Sequence, residues 1–401
     1  MREVFTQPVY SQPVYPKTVY FDNNATTQTA PEVMEAMLPF FGEKFGNPSS
    51  IYRFGRHTMR NVERAREQAA ALIGASPQEI YFTASGSESD NMALKGFFQI
   101  NKNRTRVITS SVEHAAVRNT ARFLKDEGAL LVELPVNSDG NLSIDHFDTQ
   151  FIDENTIVSL MWANNETGVL FPIEELAQKV KERGGIFHTD AVQAAGKVKI
   201  DVSKVPVDML ALSGHKLHAP KGIGAIYIRQ GTRLPPLIHG GHQEKGVRAG
   251  TENVPYIVGL GAACELAAKN IEIENTKVRA LRDRLERELL SRCKGAKLNG
   301  DQLSRLPNTT NISFENIEGE AILLHLDEEG IAASSGSACT TGSLEPSHVM
   351  MAMGVPYTFA HSSTRFSLSC YNTDADVDKV ISVMPGIVDK LRRLSPYVGE
   401  S

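Results

Sequence analysis

EIYFTASGSESDNMALKGFFQINKNRTRVITSSVEHAAVRNTARFLKDEGALLVEL, residues 79–134, alternates short β-rich apolar runs with helical spacing. It predicts strands over 79–83, 106–109 and 130–134, with helices over 90–99 and 117–126 between them. The same alternation continues outward. A helical pattern covers 61–73 upstream. Downstream, strands are expected over 156–161, 185–188, 209–213 and 225–229, and a helix over 173–183. This is the pattern of an α/β domain with a mainly parallel central sheet flanked by helices, its crossovers right-handed.

Further along, Val278, Leu281, Leu285, Leu289 and Leu290 fall at helical spacing over 277–293. Asp283 with Arg287, and Arg284 with Glu288, stand at i,i+4 on the expected wet side. The helix leads into a second, smaller α+β region. No Gly/Ser linker separates the two regions, so they are expected to share an interface. The division expected is 1–26 as an arm and part of the small domain, 27–270 as the large domain and 271–401 as the small one. Residues 1–18 carry a short duplication, TQPVY then SQPVY, which reads as an extended arm or as a partner-binding strip.

Composition narrows the class. The chain has 401 residues, 41% hydrophobic and 22% charged, the balance of a globular protein with a large core. Its net charge of −5 (42 basic against 47 acidic residues) gives no nucleic-acid footprint. The longest apolar run, near 254–264, is broken by Pro255 and is too short to span a membrane. The start lacks the pattern of a secretory signal, and a cytoplasmic protein is expected. Four cysteines without a CxxC are not a disulfide framework.

Polar residues gather just after the strands, where open parallel sheets bind ligands. Ser85-Gly86-Ser87 joins a strand to a helix, whose free N–H groups suit a phosphate; alone it also fits an ordinary capped helix. Asp190 ends a strand and needs a cationic or N–H partner, which a pyridinium nitrogen or the next helix could supply. Lys216 lies in Ser213-Gly214-His215-Lys216, before a Gly-rich turn, where an amine can form a Schiff base or simply be exposed. Together, a phosphate cradle, an Asp and a lysine are the parts that pyridoxal phosphate needs. Cys339 sits in SSGSACTTGSLEPSH, residues 334–348, a loop of small residues without apolar flanks.

These segments resemble the fold type I, class V aminotransferase-like enzymes. The cysteine loop is similar to that of group I cysteine desulfurases, the NifS/IscS-like family. FDNNATT at 21–27, GNPSS at 46–50, GTEN at 250–253 and HSSTRFS at 361–367 extend the match over roughly residues 19–370. The DNNATT opening and SLEPSHV lean toward the NifS branch. The resemblance implies a pyridoxal-phosphate transferase fold, with Lys216 as the lysine that carries the cofactor and Asp190 as the partner of its pyridine nitrogen. Gln193 and Asn165 match contacts around the phenolic oxygen, and His114 the ring-stacking histidine that moves protons. Gly86, Ser87, Ser213 and His215 match phosphate contacts. Thr251 matches a phosphate contact given by a second subunit, hence a homodimer. Arg365, Asn24 and Asn165 match substrate contacts, Arg365 pairing with the carboxylate.

The implied activity is conversion of L-cysteine to L-alanine, with a persulfide left on Cys339 for an iron–sulfur scaffold protein. No resident metal is implied, although Cys339 with a scaffold could ligate a transient cluster. Rival readings are a selenocysteine lyase or aminotransferase, a silent docking subunit for sulfur carriers, and metal binding by His215, His218 and a cysteine. Cys370, close after Arg365, departs from the family pattern and adds a second thiol to consider.

Overall fold

The computed structural model describes residues 18–335 and 346–395. The duplicated QPVY arm and Cys339 lie outside them. The described strands are β1 (Val19–Tyr20), β2 (Ile80–Thr83), β3 (Arg106–Ser110), β4 (Leu130–Leu134), β5 (Thr156–Ser159), β6 (Ile186–Asp190), β7 (Met209–Ser213), β8 (Gly224–Ile228), β9 (Ala296–Leu298), β10 (Thr309–Phe314), β11 (Ile331–Ala332) and β12 (Thr364–Ser367). The helices are α1 (Pro31–Met37), α2 (Arg53–Ile73), α3 (Gly86–Asn101), α4 (Ala115–Asp126), α5 (Ile144–Asp148), α6 (Ile173–Glu182), α7 (Val254–Ile273), α8 (Arg279–Arg292), α9 (Gly319–Glu328), α10 (His348–Ala352), α11 (Tyr357–Ala360) and α12 (Asp374–Leu394).

Seven strands form the central sheet in the order β2-β8-β7-β6-β5-β3-β4. Only β8 runs against its neighbours. The reason is chain length. The connection 214–223 is too short for a parallel crossover, which takes a dozen or more residues. The mainly parallel expectation therefore holds, with one strand reversed.

Both faces of the sheet are covered, and strand alternation divides its side chains between them. Val107, Ile157, Met209 and Ile226 pack with Met92, Leu94 and Phe97 of α3 and with Val117 and Leu124 of α4. Their neighbours Ile108, Val158, Leu210 and Tyr227 face the opposite layer, which holds Val62 and Ile73 of α2, Leu176 and Val180 of α6, and Leu260 of α7.

A second core forms on the antiparallel sheet β12-β10-β9. Leu281, Leu285 and Leu289 of α8 and Val377, Val380 and Met384 of α12 close over Ile312, Phe314 and Phe366. Val19 and Phe21 belong to this core, because β1 pairs in parallel with β11.

The apolar run near 254 is helical, and α7 continues through a π-helical turn, Glu274–Val278, into α8. One expectation needs correction, since the expected pairs along α8 do not form. Arg284 turns instead to Asp374 (2.9 Å) and Asp378 of α12, and Asp283 pairs with Arg282 at 2.7 Å. The neighbouring helix offers carboxylates outside the helix's own i,i+4 geometry. Among the described residues no helix is long and apolar enough to cross a membrane.

Candidate active site

The carboxyl ends of β3, β5, β6 and β7 and the start of α3 surround a cavity of about 400 Å³. It is lined by Gly86, Ser87, His114, Asn165, Asp190, Gln193, Ser213, His215, Lys216, Arg365 and Asn24. Among the described residues, the structure thus brings together every residue expected from the sequence except Thr251, which is exposed outside the lining.

Each wall has a local cause. Ser85 caps α3, its hydroxyl accepting the Glu88 N–H at 3.1 Å. A Cβ on Gly86 would come within 2.7 Å of Val192 Cγ2, so only glycine lets the helix start sit this close to the β6 turn. The backbone N–H groups at that start are open to an anion. Ser213 ends β7, and one 3-10 turn, Gly214–Lys216, then carries His215 and Lys216 to the cavity. Burial, with the nearby Lys216 and Lys221 charges, takes the His215 ring down to about 4, so it is neutral at physiological pH.

Asn24 is the knot between the two cores. Its carbonyl accepts from Lys216 Nζ at 2.5 Å and from Gln193 Nε2 at 2.9 Å. Lys216 Nζ also donates to the Ala25 carbonyl at 2.7 Å. The Asn24 side chain donates to the Asn165 carbonyl (3.1 Å) and to Thr309 Oγ1 of β10 (2.9 Å). Asn308 donates in turn to Asn24 Oδ1 at 3.1 Å. β12 delivers Arg365, 2% exposed, which donates to the Asn165 carbonyl (2.9 Å) and pairs with Asp22 (2.6 Å). Its buried Nε has no partner.

Asp190 Oδ1 accepts the Val192 N–H at 2.9 Å. Burial raises its pKa, while His114, that N–H and Lys216 pull it back down. His114 caps α4, its Nδ1 accepting the Ala116 N–H at 3.2 Å.

Two residues in or under this site escaped the sequence reading. Asp90 lines the cavity one turn after Gly86 on α3, and His188 lies beneath it. The i,i+4 spacing from Gly86 to Asp90 was the available signal for the first. Cys370 lies elsewhere. It lines a separate cavity of about 30 Å³ behind Lys216, with Lys197 and Glu274. Burial pushes its thiol up to about 11. His218 also lines that small cavity rather than the main one, and among the described residues only Asp90, His114 and Asp190 gather as potential metal ligands.

The donor set fits pyridoxal phosphate. The helix start at Gly86, with no room for a side chain, would hold a phosphate, the Asp190 carboxylate would pair with a pyridine nitrogen, and the Lys216 amine lines the same cavity. Gln193 Oε1 and Arg365 Nε are buried without partners and are free to meet a polar ligand.

Comparison with known proteins agrees with this arrangement. The model of the aminotransferase class-V family matches residues 19–380. The cysteine desulfurase of Gluconacetobacter diazotrophicus is 56% identical over 380 residues, which cover 94% of this chain and 95% of that one. The cysteine desulfurase NifS of Azotobacter vinelandii is 54% identical over 379 residues, covering 94% of each. The solved structure of a NifS-like protein superposes with a TM-score of 0.87 at 38% identity, covering 93% of this chain and 100% of that one.

Proposed function

The chain belongs to the aminotransferase class-V family, and from that premise we propose that it is a pyridoxal-phosphate-dependent cysteine desulfurase, which turns L-cysteine into L-alanine and keeps the sulfur as a persulfide on Cys339. The observation that carries the reading is the single cavity in which Lys216, Asp190, His114 and Arg365 meet.

Pyridoxal phosphate, when bound, supplies the electron sink that labilises the bonds at the substrate Cα and Cβ. The α3 start, Ser87, Ser213 and His215 hold its phosphate. Asp190 keeps the pyridine nitrogen protonated. Lys216 would hold the cofactor and take the Cα proton, and His114 would carry protons at the same cavity. Arg365 binds the substrate carboxylate, a task suited to a fixed guanidinium fork. The Cys339 thiolate then attacks the substrate sulfur. The carbon–sulfur bond breaks, the carbon skeleton takes up protons and leaves as alanine, and the sulfur–sulfur bond stays on the chain. A dithiol reductant releases it as sulfide.

Thr251 is exposed in a single chain, which supports a role in the site of a second copy and hence a homodimer. We place the function in the cytoplasm, with an iron–sulfur scaffold as acceptor. We also propose domains over 27–270 and 271–401 with an arm over 1–26. The change of core between Ala267 and Val278 supports that division.

The test is one assay. The purified protein is expected to be yellow, and with L-cysteine and dithiol to release alanine and sulfide in equal amounts. A yellow protein that leaves cysteine untouched overturns the substrate, and one that no added cofactor colours overturns the site.

Arg365→Lys gives a finer check. Lysine keeps the charge but loses the fork that reaches both Asp22 and the Asn165 carbonyl. The expected result is a rise in KM for cysteine of at least about tenfold, with the cofactor spectrum unchanged. An unchanged KM would remove Arg365 from substrate binding.

A further inference from the structure

Asp90 on α3 and His188 on β6 are 1% and 0% exposed. Asp90 Oδ1 and His188 Nε2 lie 3.6 Å apart, and neither atom has a hydrogen-bond partner. The other ring nitrogen of His188 is engaged, 2.8 Å from Ser159 Oγ on β5. The tautomer with Nδ1–H donating to Ser159 makes Nε2 an acceptor facing a carboxyl oxygen. The other would direct Nε2–H at an ionised Asp90, so the charge state of Asp90 decides between them. Two acceptors facing each other in a dry core repel, and each is costly to leave unpaired. A single proton between them satisfies both, after a contraction of about half an ångström.

The neighbourhood decides where the negative charge goes. One carboxylate oxygen from each of Asp90 and Asp190 and a ring nitrogen of His114 lie within 4.8 Å of one another. Two buried carboxylates this close do not both ionise. Asp190 has the Val192 N–H at 2.9 Å and the favourable charges of His114 and Lys216. Asp90 is opposed by Asp190 and by Glu113, which lies just before α4.

We propose that Asp90 is a neutral carboxylic acid whose O–H donates to His188 Nε2, leaving Asp190 as the one net anion of this cluster, directed at the cofactor's pyridine nitrogen. The first half stands on the apoprotein. The second rests on the reading of Asp190 given above. Burial and the two neighbouring carboxylates push Asp90 well above the ordinary carboxylate range, and burial takes the His188 ring down to about 3. Asp90 is therefore a positioning residue. It supports His188 and, two residues along the same strand, Asp190, without adding a second charge beneath the ring.

The experiment uses the full chain stripped of cofactor and labelled with 13C-aspartate. Its infrared spectrum near neutral pH should contain the carbonyl band of a protonated carboxyl, and Asp90→Asn should remove it. An asparagine amide can donate to Nε2 in place of the acid, so this variant should bind pyridoxal phosphate within about threefold of the native affinity. In native apoprotein labelled with 15N-histidine, the signal lost in His188→Gln should be that of a neutral ring with its proton on Nδ1 and a bare Nε2. Absence of the carboxyl band, or a His188 ring with a proton on Nε2, whether neutral or charged, overturns the proposal. So does a loss of cofactor affinity of more than about tenfold in Asp90→Asn, since the charge would then be needed. If Asp90→Asn does not fold, the native histidine signal decides, with His188→Asn as a second reference for its assignment. None of these readouts involves cysteine turnover, so their failure leaves the desulfurase reading standing.

Discussion

Lys216→Ala is expected to give a colourless protein without measurable cysteine turnover. The lysine sits on a single 3-10 turn between β7 and β8, with its amine at the cavity wall. The carbonyls of Asn24 and Ala25 hold that amine at 2.5 and 2.7 Å. Those carbonyls belong to the segment that joins the two cores, so the amine's position is fixed by both. No other lysine lines the cavity among the described residues. Lys197 lines the small cavity behind, where its amine donates to the Gln193 carbonyl at 3.0 Å. Loss of a positioned proton-transfer group alone costs about 10²–10⁴ in rate, and loss of the covalent tether to the cofactor adds to that. The fold should survive, because the truncated side chain faces a cavity that water can fill. Absorbance, alanine release and a thermal melt measured together separate the outcomes. A variant that keeps its colour and turns over cysteine at even a tenth of the native rate would take the role away from Lys216. Partial recovery of turnover with added methylamine would support the proton-transfer role, as distinct from a structural one.

The sequence spoke clearly where local pattern and local chemistry coincide. Strands over 130–134 and 209–213 match β4 and β7 at both ends, because β-rich apolar runs stop at polar or glycine punctuation. The strand-end residues Asp190, Ser213 and Lys216 were legible for the same reason. Helix α7 was not, since a helix buried on several sides has no amphipathic period to read. Its Gly261 passes so close to α2 that a Cβ would stand 2.5 Å from Ala65 Cα, a contact between residues almost two hundred positions apart. The start of α2 is not legible either, because in 53–60 only Phe54 and Met59 are large apolar residues and they form no helical repeat. The Asp90–His188 pair was invisible in the same way. Each residue alone is an ordinary polar position in a regular element, and only the packing of α3 on the sheet makes them face each other. The pairing of Arg365 with Asp22 likewise depends on β12 coming alongside the residues after β1.

Cys339→Ala should keep the cofactor and its spectral response to L-cysteine, yet lose alanine release to below about 1% of native, because no other thiol can act as the nucleophile. Burial pushes the other three cysteines up, Cys264 to about 12 and Cys293 and Cys370 to about 11. At neutral pH fewer than about one in a thousand of such thiols is ionised, and the thiolate is the reactive form. The two ends of the segment that carries Cys339 are fixed beside the site. Ser334 exchanges backbone hydrogen bonds with Arg365, and Ser363 Oγ donates to the Ser335 carbonyl at 3.3 Å. Ser347 Oγ donates to Glu166 at 2.5 Å, and His348 Nε2 lies 3.0 Å from the Glu113 carbonyl next to His114. Cys339 is four residues from Ser335 in sequence, a separation of chain that spans at most about 14 Å. Mass spectrometry after a single addition of cysteine completes the test. The native chain should gain one sulfur atom on the peptide containing Cys339, and the alanine variant should gain none. Sulfur found on Cys370 in that variant, together with continued alanine release, would transfer the nucleophile's role to the thiol in the rear cavity and require a path past Lys216.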